Sequence, residues 1–296
     1  MQLSIQLKSE IKIKGYDSNS VIDETECLGR ISLSRYNIDS QEELLPGLLW
    51  GDYHQLFTPA YWKLQYDLYN VSTPVRSHRL GDSIIEEVVA CLLGGYGIPA
   101  EIGLLALRRL KDEGLIKQNV TQHELEAALE KPLIKSDGKQ IKYRFPRQKS
   151  KYIANFLSEN CLNVMPTNCD DLDLRAWLLK VNGIGPKTAS WITRNWLYSE
   201  RVAILDIHIL RAGMLAGFFP PDADVTKEYS ELEKKYLLFC DAIKVLPSVM
   251  DAIIWEQMKF TNTLAIKLLK KQTICQEVAT HQKSAVWGSR SQIALN

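Results

Sequence analysis

DLDLRAWLLKVNGIGPKTASWITRNWLYSERVAILDIHILRAG, residues 171–213, organises the rest of the chain. Its centre, Val181-Asn182-Gly183-Ile184-Gly185-Pro186-Lys187-Thr188-Ala189, reads as a tight hairpin between two short helices. Glycines at 183 and 185 permit a sharp turn, and Pro186 is pre-set for the first turn of the helix that follows. Amides at a helix N-terminus attract phosphate, so such a hairpin grips a DNA backbone without reading bases. Asn182, Gly183 and Gly185 are the expected backbone contacts. For Lys187 two readings stand at this point: a further phosphate contact, or a group that does chemistry.

Outward from the hairpin, composition sets the bounds. The chain has 296 residues, 46% apolar and 24% charged, as in an ordinary globular protein with room for two packed subdomains. A net charge of +1 gives no global pull on nucleic acid, so any DNA-binding surface must be a local basic patch. Cys27, Cys91, Cys161, Cys169, Cys240 and Cys275 are scattered without the spacing of a zinc or iron–sulfur site. No metal site and no cofactor are expected. No apolar run is long enough for a membrane span, and MQLSIQLKSEIKIKGYD lacks a signal-peptide pattern. The expectation is no membrane partner and a cytoplasmic protein, nucleoid-associated in a prokaryote or nuclear in a eukaryote.

Residues 1–60 read as a separate extension, a small antiparallel sheet, from the alternation in Gln2–Lys14 and a second strand pair in Leu28–Ile38. From Tyr61 the period becomes helical. Ser83–Leu93 is apolar nearly all round and reads as a buried helix capped by Asp82 or Ser83. Gly94-Gly95-Tyr96-Gly97 breaks it, and Pro99–Glu113 resumes as an amphipathic helix. Thr121, with Glu124 three positions on, forms the capping box of another helix. Ile141–Lys151, IKYRFPRQKSK, is the most basic window and leads into a helix at Ser150–Asn160. Such a run is either a solvated face or a DNA contact, and its aromatic interleaving favours contact, with Lys149 and Lys151 as candidates. Further helices are expected at Ile207–Gly217, Lys227–Leu238, Pro247–Lys259 and Asn262–Glu277, before a frayed tail at 281–296. The body, residues 61–280 with its hairpin at 171–197, is expected to be all helical.

The second half of the opening stretch decides between the readings of Lys187. Val202-Ala203-Ile204-Leu205-Asp206 puts one carboxylate between an apolar run and a new helix, 19 positions after the lysine, and taken alone it is either a simple helix cap or a group that does chemistry. Hairpin, lysine and aspartate at this spacing resemble the helix-hairpin-helix (HhH-GPD) DNA glycosylase superfamily, most closely its 8-oxoguanine glycosylase/AP lyase branch. The resemblance covers most of residues 61–270, with the specific motif at Leu178–Arg211. It implies a mainly α, two-lobed helical fold. It also implies Lys187 as nucleophile, Asp206 as catalytic carboxylate and His208 beside the backbone of the flipped nucleotide. The cysteine-rich iron–sulfur loop common in the endonuclease III and adenine glycosylase branches is absent.

The chemistry fits the pair. Breaking a C1′–N bond puts positive charge on the sugar, which a fixed carboxylate stabilises. A neutral amine that attacks C1′ leaves a Schiff base, open to β-elimination. A place in the first turn of a helix, with burial against apolar walls, would disfavour the ammonium. The base must leave the stack, and a wedge must fill the gap. At two places the sequence departs from the family. The loop that often carries Asn or Gln holds Tyr96 among glycines, either a wedge or a packing feature. Four residues after the lysine, where the branch often has a small cysteine, stands Trp191, either a stacking platform or core. Trp255 and Phe260 are candidates for the opposite pocket wall or for core.

The expected function is a bifunctional DNA glycosylase/AP lyase, a monomer acting on a modified purine, 8-oxoguanine first, in double-stranded DNA. Two alternatives stand beside it: a non-catalytic hairpin module that clamps phosphate, and a glycosylase against modified bases of foreign DNA.

Overall fold

Helices carry the chain from Pro59 onward. The computed structural model describes residues 38–72, 79–95, 97–166 and 168–291, all within the unit Ile38–Asn296. The strands expected at Gln2–Lys14 and, Ile38 apart, at Leu28–Ile38 lie outside the described residues. Before the helices comes an antiparallel hairpin, β1 (Glu43–Leu45) and β2 (Leu48–Leu49), turning through Gly47 at φ +77°. Its Leu48 is sunk in the same core as Phe57 and Trp62, so this hairpin shares the core of the helices that follow.

Eleven described helices succeed one another, and most begin where the sequence places a cap. After α1 (Pro59–Ser72), α2 (Ile84–Leu93) starts at Ser83, whose side chain accepts from the Glu86 amide, and stops at Gly94. Next are α3 (Ala100–Asp112), entered through Pro99, and α4 (Gln122–Glu130), closed by the full Thr121–Glu124 capping box. α5 (Pro146–Phe156) begins four residues earlier than the spacing predicts, because Pro146 takes the first helical position. A single turn, α6 (Glu159–Leu162), leads to α7 (Asp171–Leu178) and α8 (Pro186–Leu197). The last three are α9 (Ile207–Ala216), α10 (Tyr229–Ala242) and α11 (Pro247–Ser291).

The mainly helical reading holds, with two corrections. The body is not all helical: β3 (Leu133–Ile134) and β4 (Gln140–Ile141) pair antiparallel across a turn with Gly138 at φ +78°. Asp137-Gly138, between Leu133-Ile134 and Ile141, is the local signal for that hairpin. The second correction concerns the end of the chain. One helix runs from Pro247 to Ser291 where two helices and a frayed tail were expected. No glycine or proline interrupts Lys259–Asn262, and Thr261 Oγ1 donates back to the Gln257 carbonyl at 2.9 Å, so nothing there ends a helix.

Apolar side chains gather in two cores. One is built by α2–α5, α7 and the hairpin, around Leu93, Leu125, Phe156 and Ile184. The other gathers α1, α9, α10 and α11 around Trp62, Phe219, Tyr236 and Met258. α8 sits between them. Its Ala189 and Ile192 belong to the first core, while Ser190 and Arg194 reach polar partners on α10 and α11. Lys187 therefore lies on the helix that reaches both cores at their seam, and the run leading to Asp206 shares the Glu233 carboxylate with that helix.

Candidate active site

The hairpin between α7 and α8 is anchored by alternation. Val181 and Ile184 are buried in the first core, and Asn182, Gly183 and Gly185 are exposed. The Ile184 amide donates to the Val181 carbonyl at 3.1 Å and the Ala189 amide to the Gly185 carbonyl at 2.9 Å. Gly183 uses the freedom only glycine has, with φ +91°, and a Cβ there would meet the Tyr152 ring at 2.5 Å. Gly185 is the N-cap of α8 at φ −97°, and a Cβ on it would meet nothing within 4 Å. No described side chain caps α8, so its first amides are open to an outside acceptor.

Lys187 lies in that first turn. It is exposed and makes no hydrogen bond or ion pair with a described residue. The apolar walls expected around its amine are absent, because this turn projects from the seam and only the next turn, with Ala189 and Ser190, is buried. α8 ends at Tyr198 in the left-handed conformation (φ 54°). There Arg79 donates to the Asn195 and Trp196 carbonyls at 3.3 and 2.6 Å and lies over the Trp196 ring.

Asp206 caps α9. Its Oδ1 accepts from the His208 amide at 2.8 Å and the Ile209 amide at 3.0 Å, while Oδ2 accepts from no described residue. The cap thus uses one oxygen of the carboxylate, and the other is unengaged among the described residues. The run that delivers it, Val202–Leu205, is buried along its length.

His208 is half-buried. Its Nδ1 is buried without a partner among the described residues, and its ring stands edge-on to Trp255 at 6.3 Å. Trp255 is 46% exposed, with the Lys259 ammonium 4.9 Å from its ring centroid. Phe260 is 80% exposed. Five residues along a helix turn the side chain by about 140°, so Trp255 and Phe260 do not share a face and only Trp255 stands by His208. Trp191 is half-buried, and its Nε1 is sealed from solvent with no partner among the described residues. Tyr96 lies outside the described residues.

The basic window divides in two. Lys151 is exposed, in an open groove of about 590 Å³ that Arg144, Arg147 and Gln148 also line. Lys149 turns inward, donates to the Gly94 carbonyl at 2.7 Å, and has its ammonium disfavoured by burial. Tyr143 donates to the Leu93 carbonyl at 2.6 Å and Arg144 to the Gly97 carbonyl at 3.4 Å. The window therefore also holds the two ends of the glycine loop.

Sequence reasoning missed the polar groups under the pair. Arg194 and Asp251 form a buried ion pair between α8 and α11. Asp251 is raised to about 6, first by burial, with Arg194 opposing and the Asp206 and Glu200 charges adding. Glu233, also buried, accepts from Arg175 at 2.5 Å, from the Ala203 amide at 2.8 Å and from Ser190 at 3.4 Å. A signal for it was present: Glu233 sits in the apolar stripe Tyr229, Leu232, Tyr236, Phe239, Cys240 of α10, where a charge needs a buried partner.

A family model described as 8-oxoguanine DNA glycosylase matches residues 74–245, more than half of the chain. Two proteins named 8-oxoguanine DNA glycosylase/AP lyase, from Fusobacterium nucleatum and Metallosphaera sedula, are each 30% identical to it, over 125 and 126 residues. Those matches take in 38% and 41% of this chain and 56% and 61% of the relatives, so the chain spans somewhat more than half the length of each. Among solved structures, the 8-oxoguanine DNA glycosylase of Methanocaldococcus jannaschii has the same fold, with a TM-score of 0.50 at 24% identity over 69% of this chain and 96% of that one.

Proposed function

The chain belongs to the 8-oxoguanine DNA glycosylase family, and we propose that it is a bifunctional DNA glycosylase/AP lyase that removes an oxidised purine, 8-oxoguanine first, from double-stranded DNA. One observation carries the reading. A carboxylate tethered through one oxygen, with the other unengaged, ends a buried run that shares Glu233 with the helix whose first turn holds an unpaired lysine.

In this reading DNA lies along the hairpin, with phosphates against the exposed backbone of Asn182, Gly183 and Gly185 and the first amides of α8. Lys151 supplies charge, and Lys149 acts on the glycine loop. The lesion nucleotide leaves the stack and enters the seam beside His208, Trp191 and Trp255. Trp255 presents an exposed indole suited to stacking on a base, whereas Phe260 points elsewhere on α11.

The neutral amine of Lys187 attacks C1′. The C1′–N bond breaks, the base leaves with the bonding pair and is protonated, and Asp206 Oδ2 offsets the positive charge that builds on the sugar. Ring opening gives a Schiff base between Lys187 and C1′. Loss of a C2′ proton then expels the 3′-phosphate and nicks the strand. Both residues come from one polypeptide, so the reaction needs no second copy.

Borohydride trapping on a duplex with one 8-oxoguanine tests the proposal. The expected result is a covalent adduct that Lys187→Gln abolishes, with base release unchanged by EDTA. Asp206→Asn keeps binding and lowers the single-turnover rate by about 100-fold. Equal binding to lesion and plain DNA, with no release or nicking, would make the chain a phosphate clamp instead. An adduct that survives in Lys187→Gln would remove that residue from the chemistry.

A further inference from the structure

The run Val202–Leu205 poses a backbone problem. It is buried and belongs to no sheet among the described residues, so its amides and carbonyls have no strand partner. Two side chains one turn apart on α10 take the place of that strand. Glu233 Oε1 accepts from the Ala203 amide at 2.8 Å. The Tyr229 hydroxyl donates to the Ala203 carbonyl at 2.7 Å and accepts from the Leu205 amide at 3.2 Å. A shift of this run along its axis would break all three bonds, so α10 sets where the run ends and hence where Asp206 stands.

The same carboxylate reaches the other half of the site. Its Oε2 accepts from Arg175 on α7, and Ser190, three residues beyond Lys187 on α8, donates to Oε1 at 3.4 Å. Both helices of the hairpin and the run that delivers the aspartate are thus referred to one buried group. The two cores meet here without a continuous apolar contact of their own. A polar junction on Glu233 therefore links the two cores here, alongside the Arg194–Asp251 ion pair.

We propose that Glu233 and Tyr229 are positioning residues that set the distance between Lys187 and Asp206. The role rests on the glycosylase reading above. Displacing a reacting group by about 1 Å costs roughly 100-fold in rate, so a loosened junction acts on chemistry before it acts on DNA affinity.

The test uses Tyr229→Phe, Glu233→Gln and Glu233→Ala in the full chain. Circular dichroism first fixes a temperature at which each is folded. Two quantities are then read: the single-turnover rate of base release from an 8-oxoguanine duplex with enzyme in excess, and the Kd for a duplex with an uncleavable abasic analogue. The expected result is a rate lowered about 10- to 100-fold with Kd within about twofold. Glu233→Gln, whose amide oxygen still accepts from Ala203, should keep more activity than Glu233→Ala.

If Glu233→Ala does not fold, Tyr229→Phe, which leaves the ion pair to Arg175 intact, carries the test. Folded variants that release base at the parent rate overturn the positioning role and leave the glycosylase reading standing. A parent chain inactive on every lesion duplex overturns both.

Discussion

Lys149 and Lys151 are two positions apart in the same basic run, yet the structure gives them different work. Lys151 faces solvent in a groove shared with Arg144 and Arg147, while the Lys149 ammonium is engaged with the Gly94 carbonyl. Each phosphate contact adds about 0.9 to the slope of log binding constant against log salt. Replacing Lys151 by Met should therefore lower that slope by about one contact, measured by fluorescence anisotropy on duplex DNA across a salt series. Lys149→Met should leave the slope unchanged and slow base release by loosening the glycine loop. A slope change of equal size in both variants would place both lysines on phosphates. At Asp206 the helix cap occupies one carboxylate oxygen, so the cap does not preclude the chemical role proposed for the other.

The hairpin shows what a whole element requires of its sequence. Its two glycines serve different ends. Gly183 answers a conformational demand, since its φ of +91° and the ring of Tyr152 leave no room for a side chain. Gly183→Ala should cost about 1–3 kcal/mol of stability, measured by urea unfolding. At Gly185 the backbone is ordinary and the space around it empty, so Gly185→Ala should change stability by less than about 0.5 kcal/mol. A loss of DNA affinity in Gly185→Ala would then report the approach of a DNA backbone to that spot. Unchanged affinity would mean that DNA keeps its distance from Gly185.

Across the whole molecule, the seam between the two cores is lined with charge. Burial raises the Asp251 carboxyl from 3.8 to about 6 despite its ion pair with Arg194, with the charges of Asp206 and Glu200 adding to the rise. The native chain therefore binds this proton more tightly than the unfolded chain does. Asp251 contributes stability that is complete below about pH 4 and is lost as pH rises through about 6. The stability of the parent relative to Asp251→Asn, from urea unfolding at pH 4.5 and 7, should be greater at the lower pH. A difference independent of pH would show that Asp251 stays ionised throughout. No described helix is long and apolar enough to cross a membrane, and this charged seam is the least oil-like part of the interior.

Much of this was legible in one dimension because the determinants are local. The Thr121–Glu124 box, Ser83 as cap, Pro186 opening α8 and the glycine in the hairpin each act within a few residues, so sequence alone determined most helix starts and the motif that holds Lys187 and Asp206. Even the missed β3–β4 hairpin carried its own Asp137-Gly138 signal. Tertiary structure decided what depends on partners distant in the chain. Glu233 lies 58 residues from Arg175 and 30 from Ala203, and Arg194 lies 57 from Asp251. Nothing local marks Lys149 as turned inward or Phe260 as turned away. Spacing in a chain fixes backbone conformation over a turn or two, whereas the meeting of a buried charge with its counterpart is settled only when two cores pack around the same helix.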